Sequence, residues 1–252
     1  MNAQADDEPR CAKSFLGHLD DLRGTLINCA ISLALGMAVA VPLTPVILGF
    51  LKTRIALAGV DPDRFLTTVR LAEGFITATR IVFWAGLILS FPVMSAFVAR
   101  FVFPGLTRRE RAAVVRAGVL GAVLFAAGVA VGCFLTLPVA IRVLLSVNRW
   151  LGVSCSFVLL SDYIGFVMKL LLAFGIAFQF PVVLLVLGGL GILSSAQLRQ
   201  FRRHAIVVLM AVAMVLTPPD VVSQVLLGVP LILLYEACIW VLWSKERRRA
   251  AA

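Results

Sequence analysis

Five apolar runs, near residues 24–48, 75–99, 112–137, 163–190 and 221–243, constrain this chain more than any motif does. Crossing about 30 Å of hydrocarbon takes roughly 20 helical residues, and each run supplies them. A sixth, shorter run, 205–216, sits between the last two. At helical rise it reaches only about 18 Å, so it either drags in polar flanks or thins the bilayer around it. The apolarity is near-continuous rather than alternating, which favours helices over a membrane barrel. The expected fold is therefore an all-α polytopic membrane protein with six transmembrane helices, the fifth of them short. Composition agrees: of 252 residues, 61% are hydrophobic and 14% charged, against about 45–50% and 25% in soluble domains. That excess excludes a water-soluble enzyme, a disordered chain and a nucleic-acid-binding domain.

Loop charge sets the expected orientation. The net charge is +10. One side carries Arg10, Lys13 and Arg23, then Arg100, Arg108, Arg109, Arg111 and Arg116, then Arg199, Arg202 and Arg203, and in the tail Lys245, Arg247, Arg248 and Arg249. The other side carries Lys52, Arg54, Arg64, Arg70, Arg80, Arg142 and Arg149, and Lys169 lies inside a span. Fifteen cations against seven place both termini in the cytoplasm. The chain divides into a cytoplasmic segment 1–23, a membrane domain 24–243 and a basic tail 244–252. The first segment is polar and contains five acids. It lacks the basic start and small-residue cleavage site of a secretory signal.

Catalytic and metal motifs are missing. The five cysteines show no CxxC spacing, and the two histidines, His18 and His204, form no HExxH pair. There is no GxSxG elbow and no phosphate-binding GxxxxGK[ST] loop. No enzyme, no metal and no cofactor is expected.

Three places carry the remaining information. HLDDLR, His18 to Arg23, reads either as an amphipathic helix start at the membrane surface or as an acidic patch for a cationic partner. In FVFPGLTRRERAAVV, Phe101 to Val115, Thr107 and Glu110 fit a T-x-x-E capping box. Glu110 is also the only acid of that loop, and a carboxylate is the natural partner of a guanidinium fork. The third place is the set of polar groups at depth. Gln179 and Glu236 each lie sixteen residues into an inward-running span, and Lys169 is close enough to the outer end to snorkel. A buried ionisable group in a span is costly and hints at function, while a hydrogen bond between Gln179 and Glu236 explains them structurally. TPPD, Thr217 to Asp220, makes a rigid turn, with Asp220 able to cap the last span.

Taken together these strings resemble TatC, the multispanning core subunit of the twin-arginine protein translocase. HLDDLR is similar to the family's HLxELR, with Asp21 where glutamate is usual. Phe101, Pro104, Leu106, Glu110 and Arg111 follow its first cytoplasmic loop. Asp162, Phe166, Ala173, Phe174, Gly175, Phe178 and Pro181 follow its fourth span. TPPDVVSQ, through Gln224, with Pro230, Tyr235 and Glu236, follows the last two. The resemblance covers roughly residues 14–243. It implies a cupped bundle of six helices with both termini cytoplasmic and the last two helices short, in the inner membrane of a bacterium. It implies binding of paired-arginine signal peptides by Glu110 and Asp21, with Phe101 and Arg23 beside them. It implies TatA-type and TatB-type single-span partners, a homo-oligomeric complex, and passage of folded cargo driven by the proton-motive force, with no nucleic acid involved.

Three positions depart from that pattern. Gln179 stands where the family commonly has glutamate, no proline is found around Leu51, and Asp21 is one methylene shorter than the usual residue. A competing class is a small-solute carrier or channel, with Gln179, Glu236 and Lys169 lining a polar path. The absence of an evident internal repeat counts against it.

Overall fold

The structure, a computed structural model, describes residues 15–57, 59–102, 108–152, 157–189, 191–216 and 221–250. Helices dominate: α1 (Phe15–Leu57), α2 (Pro62–Phe65), α3 (Glu73–Val102), α4 (Arg108–Val131), α5 (Leu137–Trp150), α6 (Leu160–Ala177), α7 (Phe180–Gly189), α8 (Ser195–Gln200), α9 (Arg202–Leu216) and α10 (Val221–Ala250). Two short strands, β1 (Leu66–Thr67) and β2 (Val158–Leu159), pair in parallel and join the α1–α3 connection to the α5–α6 connection. Five helical stretches are long and apolar enough to cross a membrane: 19–57, 73–99, 118–150, 160–189 and 221–247.

The helices outrun the apolar runs that announce them. The boundaries at 23 and 243 both fall inside helices, because backbone hydrogen bonding within a helix is local and continues into polar sequence. Two long helices are interrupted where proline removes an N–H. Between α4 and α5, Gly132–Thr136 forms a π-turn just ahead of Pro138. Between α6 and α7, Phe178 and Gln179 break the helix ahead of Pro181. The fourth predicted span, 163–190, is thus two helices meeting at Gln179, not one. The short run expected as a fifth span falls on α9, which has 15 residues and is about 22 Å long, short of the hydrocarbon thickness; α10, expected to be short as well, has 30.

At the centre lies α6, which packs on α3, α4 and α9. Glycines let its neighbours close in. A Cβ at Gly128 of α4 would stand 2.5 Å from the Phe174 carbonyl oxygen, and one at Gly175 would stand 2.5 Å from the Phe125 ring. Phe125 stacks on Phe91 of α3 at 4.5 Å, so three helices meet around one ring. The α1–α3 crossing is as close: a Cβ at Gly36 would lie 2.0 Å from Ser90 Oγ. That hydroxyl donates across the seam to the Ser32 carbonyl at 2.7 Å. Small residues that let backbones touch are the usual means of helix association in lipid.

Candidate functional site

The Ser32–Ser90 bond also fixes the register of α1 against α3. Asp21 stands eleven residues before Ser32, and Phe101 stands eleven after Ser90. Eleven residues are about three turns, so each returns to the face carrying its serine. Antiparallel packing then brings Asp21 and Phe101 to the same level at the end of the bundle where α1 begins. Both side chains are half-buried there, while Arg23 is exposed. The Asp21 carbonyl accepts from Thr25 Oγ1 at 2.9 Å, within the helix. Glu110 falls in the first turn of α4, eight residues after α3 ends at Val102, and its side chain lies outside the described residues. So do Pro104, Leu106 and Thr107, and with them the capping box.

Gln179 and Glu236, the polar groups at depth, hold separate partners. Gln179 sits at the α6–α7 break, where its Nε2 donates to the Gly121 carbonyl of α4 at 2.9 Å. Glu236 of α10 instead accepts from Arg202 Nη2 of α9 at 2.7 Å. Each belongs to a different seam, so the suggested bond between them is absent. The expectation rested on an unbroken fourth span, and the Pro181 break re-aims Gln179. Lys169 is exposed on α6. Gln224 donates from Nε2 to the Met210 carbonyl at 3.2 Å and ties α10 to α9. Asp220 lies outside the described residues, together with the rest of TPPD.

Several groups that the sequence alone did not single out do structural work. Glu73, buried in the first turn of α3, accepts from the backbone N–H of Val69 and Arg70 and from Ser161 Oγ. Arg80 Nη1 donates to the Ser161 carbonyl at 3.0 Å, and Tyr163 Oη to that of Leu51 at 2.9 Å. These bonds and the β1–β2 pair knit one end of the bundle. At the other, Glu246 of α10 accepts from the backbone N–H and hydroxyl of Ser195, and Tyr235 Oη donates to the Leu198 carbonyl at 2.7 Å. An acid at the start of an apolar run was the available signal for Glu73. Arg202 was visible only as loop charge, because its partner is 34 residues away. Among the described residues, no three of His, Cys, Asp and Glu gather as a metal site would require.

The family model of the Sec-independent protein translocase protein (TatC) matches residues 17–230. The chain belongs to the TatC family. TatC from Aquifex aeolicus is 33% identical over 88% of this chain and 92% of its own length. That from Escherichia coli K12 is 34% identical over 87% and 84%. The match to TatC of Akkermansia muciniphila, 33% identical, takes in 75% of this chain but only 54% of that longer protein. A crystal structure of the twin-arginine translocase receptor TatC in DDM superposes with a TM-score of 0.75 at 33% identity, covering 89% of this chain and 98% of the other. TatC is a component of a protein translocase and not an enzyme. The chain is thus a membrane protein of protein transport, and the pattern read from HLDDLR to TPPDVVSQ places it in the right family.

Proposed function

We propose that this chain is the signal-peptide receptor of a twin-arginine translocase, and that the end of the bundle where α1 begins receives the paired arginines. The observation that carries the reading is the α1–α3 register, which sets Asp21 level with Phe101 beside the connection that leads to Glu110. Two carboxylates, Asp21 on α1 and Glu110 on α4, offer bidentate, charge-assisted bonds to two guanidinium groups. Arg23 and the arginines around Glu110 orient those carboxylates and repel cations that lack the fork geometry. The signal's apolar stretch then lies against the exposed apolar faces of the bundle.

Topology follows the same reading. Five long helices and the short α9 make six spans, cupped, with both termini on the cytoplasmic side where the cations gather. The membrane is the inner membrane of a bacterium, as for TatC relatives. TatC proteins act within the Tat complex with TatA and TatB. This chain takes those partners, assembles in several copies and passes folded cargo with the proton-motive force.

Crosslinking of a twin-arginine signal peptide to the full chain in membranes, against a twin-lysine control, tests the receptor role. Selective capture is expected, with a loss of about tenfold or more in Glu110→Gln, the scale of one charge-assisted bond. Glutamine still serves in a capping box, so the variant keeps its helix start. Equal capture of both peptides, or capture unchanged in Glu110→Gln, sinks the assignment.

A further inference from the structure

At the opposite end of α1, Arg54 is a cation without a counter-ion among the described residues. Its guanidinium carbon stands 4.3 Å from the centre of the Phe50 ring and 4.4 Å from that of Phe134. The two rings meet edge to face, 73° apart with centroids at 6.0 Å, so they form a corner around the planar group. Arg54 Nε is fully hidden there and has no hydrogen-bond partner. Its neighbours are committed elsewhere: Lys52 pairs with Asp63 at 2.9 Å, and Arg142 donates to the Leu57 carbonyl that ends α1. Among the described residues no carboxylate reaches Arg54. A guanidinium stripped of water on one side, and unpaired, is costly. Among the described residues none supplies a compensating charge, which leaves the guanidinium open to an anion from outside.

Depth says where that charge resides. The apolar run of α1 ends at residue 48, six residues before Arg54, or about 9 Å along the helix. That distance places the guanidinium at the head-group layer. Phe50 lies two residues past the end of its apolar run at 48 and Phe134 three before the end of its own at 137; they are 40% and 59% exposed, so both rings are open to acyl chains. Aromatic residues at this level are ordinary interfacial anchors. The added element here is a cation held in their corner.

We infer that Arg54, Phe50 and Phe134 form a binding site for an anionic phospholipid, with the lipid phosphodiester on the guanidinium and its chains along the two rings. A zwitterionic lipid already offsets its phosphate with the positive charge of its own head group and binds less well. Free phosphate offers the same oxygens but nothing to lie on the rings. The inference rests on the span boundaries and not on signal-peptide recognition, so loss of peptide capture leaves it standing.

Native mass spectrometry of the full chain in detergent tests it, with titrations of phosphatidylglycerol, phosphatidylcholine or sodium phosphate at matched ionic strength. Phosphatidylglycerol is expected to bind more tightly than phosphatidylcholine. Arg54→Gln should weaken it about tenfold, the scale of one charge-assisted bond. Arg54→Lys should fall between, because an ammonium keeps the charge but lacks the planar fork. Phe134→Leu, which keeps the cation and fills similar space, should weaken the lipid severalfold and guards against a misfolded Gln variant. Unchanged phosphatidylglycerol binding in a folded Arg54→Gln or in Phe134→Leu overturns the site. Displacement of the lipid by millimolar phosphate overturns the lipid as its ligand.

Discussion

Helices α1 and α6 are both apolar enough to cross a membrane, yet they live in different solvents. The best span window of α1 has a mean hydropathy of 2.2 and is 6% buried within the protein, while that of the stretch 160–189, which α6 opens and α7 closes, has 2.6 and is 50% buried. On α6, Tyr163, Ile164, Val167, Met168, Leu170, Leu171, Ala173 and Phe174 are all buried. On α1, Leu26, Ile31, Leu35, Val39 and Val46 all stand more than half exposed. Hydropathy therefore selects what enters the bilayer and says little about which helix becomes the core. Lipid tails are as apolar as leucine, so burial inside the bundle is decided by close fit and hydrogen bonds. Helix α6 has that fit on three sides, against α3, α4 and α9. Helix α1 has it mainly along the seam with α3.

The largest expected effect comes from spoiling the fit of α6. Gly175→Leu drives a branched side chain into the Phe125 ring, where even a Cβ would sit at 2.5 Å. Phe125 cannot retreat, because Phe91 stacks on its other side. Overpacking of this kind costs about 1–3 kcal/mol or more. A clear fall in the midpoint of thermal unfolding in detergent is expected. An unchanged midpoint would mean that α6 is no more central than α1, and the contrast between them would collapse.

What the sequence shows of this architecture follows the same division. Five of the spans are legible because twenty apolar residues in a row have few other uses. The short α9 is legible too, although the helix starts three residues before its apolar run, at Arg202. The breaks are harder to read. Pro181 and Pro138 stand in plain sight, but whether a proline kinks, widens or splits a helix depends on the neighbours that satisfy the freed carbonyl. That is why Gln179 was placed with Glu236 and was found with Gly121. At the candidate site, HLDDLR and Glu110 are visible as motifs. That Asp21 and Phe101 share a level follows only from the register, and the register is set by Ser32, Gly36, Gly86 and Ser90, small residues with no hydropathy signal of their own.

Gln179 supplies the middle-sized prediction, at the end of α6 where fit gives way to a polar bond. Its amide donates to the Gly121 carbonyl. In Gln179→Glu, a neutral carboxylic acid can donate to the same oxygen, whereas an ionised carboxylate cannot and faces a lone pair instead. Folding stability of the variant should therefore fall as pH rises through the titration of the introduced carboxyl group, while the parent stays flat over that interval. Loss of one such bond is worth about 1 kcal/mol, and more if the carbonyl is left unpaired. Unfolding midpoints across a pH series, parent against variant, read the difference directly. A variant as flat as the parent would mean that the Gly121 bond contributes nothing to holding α4 against the α6–α7 break.

The smallest effect should come from the exposed face of α1, at Leu35, and the close-packed Gly36 beside it makes the test internal. Gly36 meets Ser90 and the backbone of α3 at distances no Cβ tolerates, while Leu35 beside it is 63% exposed. Gly36→Ala must push the Ser90 hydroxyl off the Ser32 carbonyl and separate the helices, at about 1–3 kcal/mol. Leu35→Ala removes far more apolar surface, but that surface faces lipid or detergent in both the folded and the unfolded chain, so its cost should stay within about 0.5 kcal/mol. The outcome to look for is the inversion: adding one methyl group at 36 harms the protein more than deleting three carbons at 35. Were Leu35→Ala the more damaging of the two in detergent, the exposed face of α1 would have to be packed within the protein itself, and its difference from α6 would be one of degree.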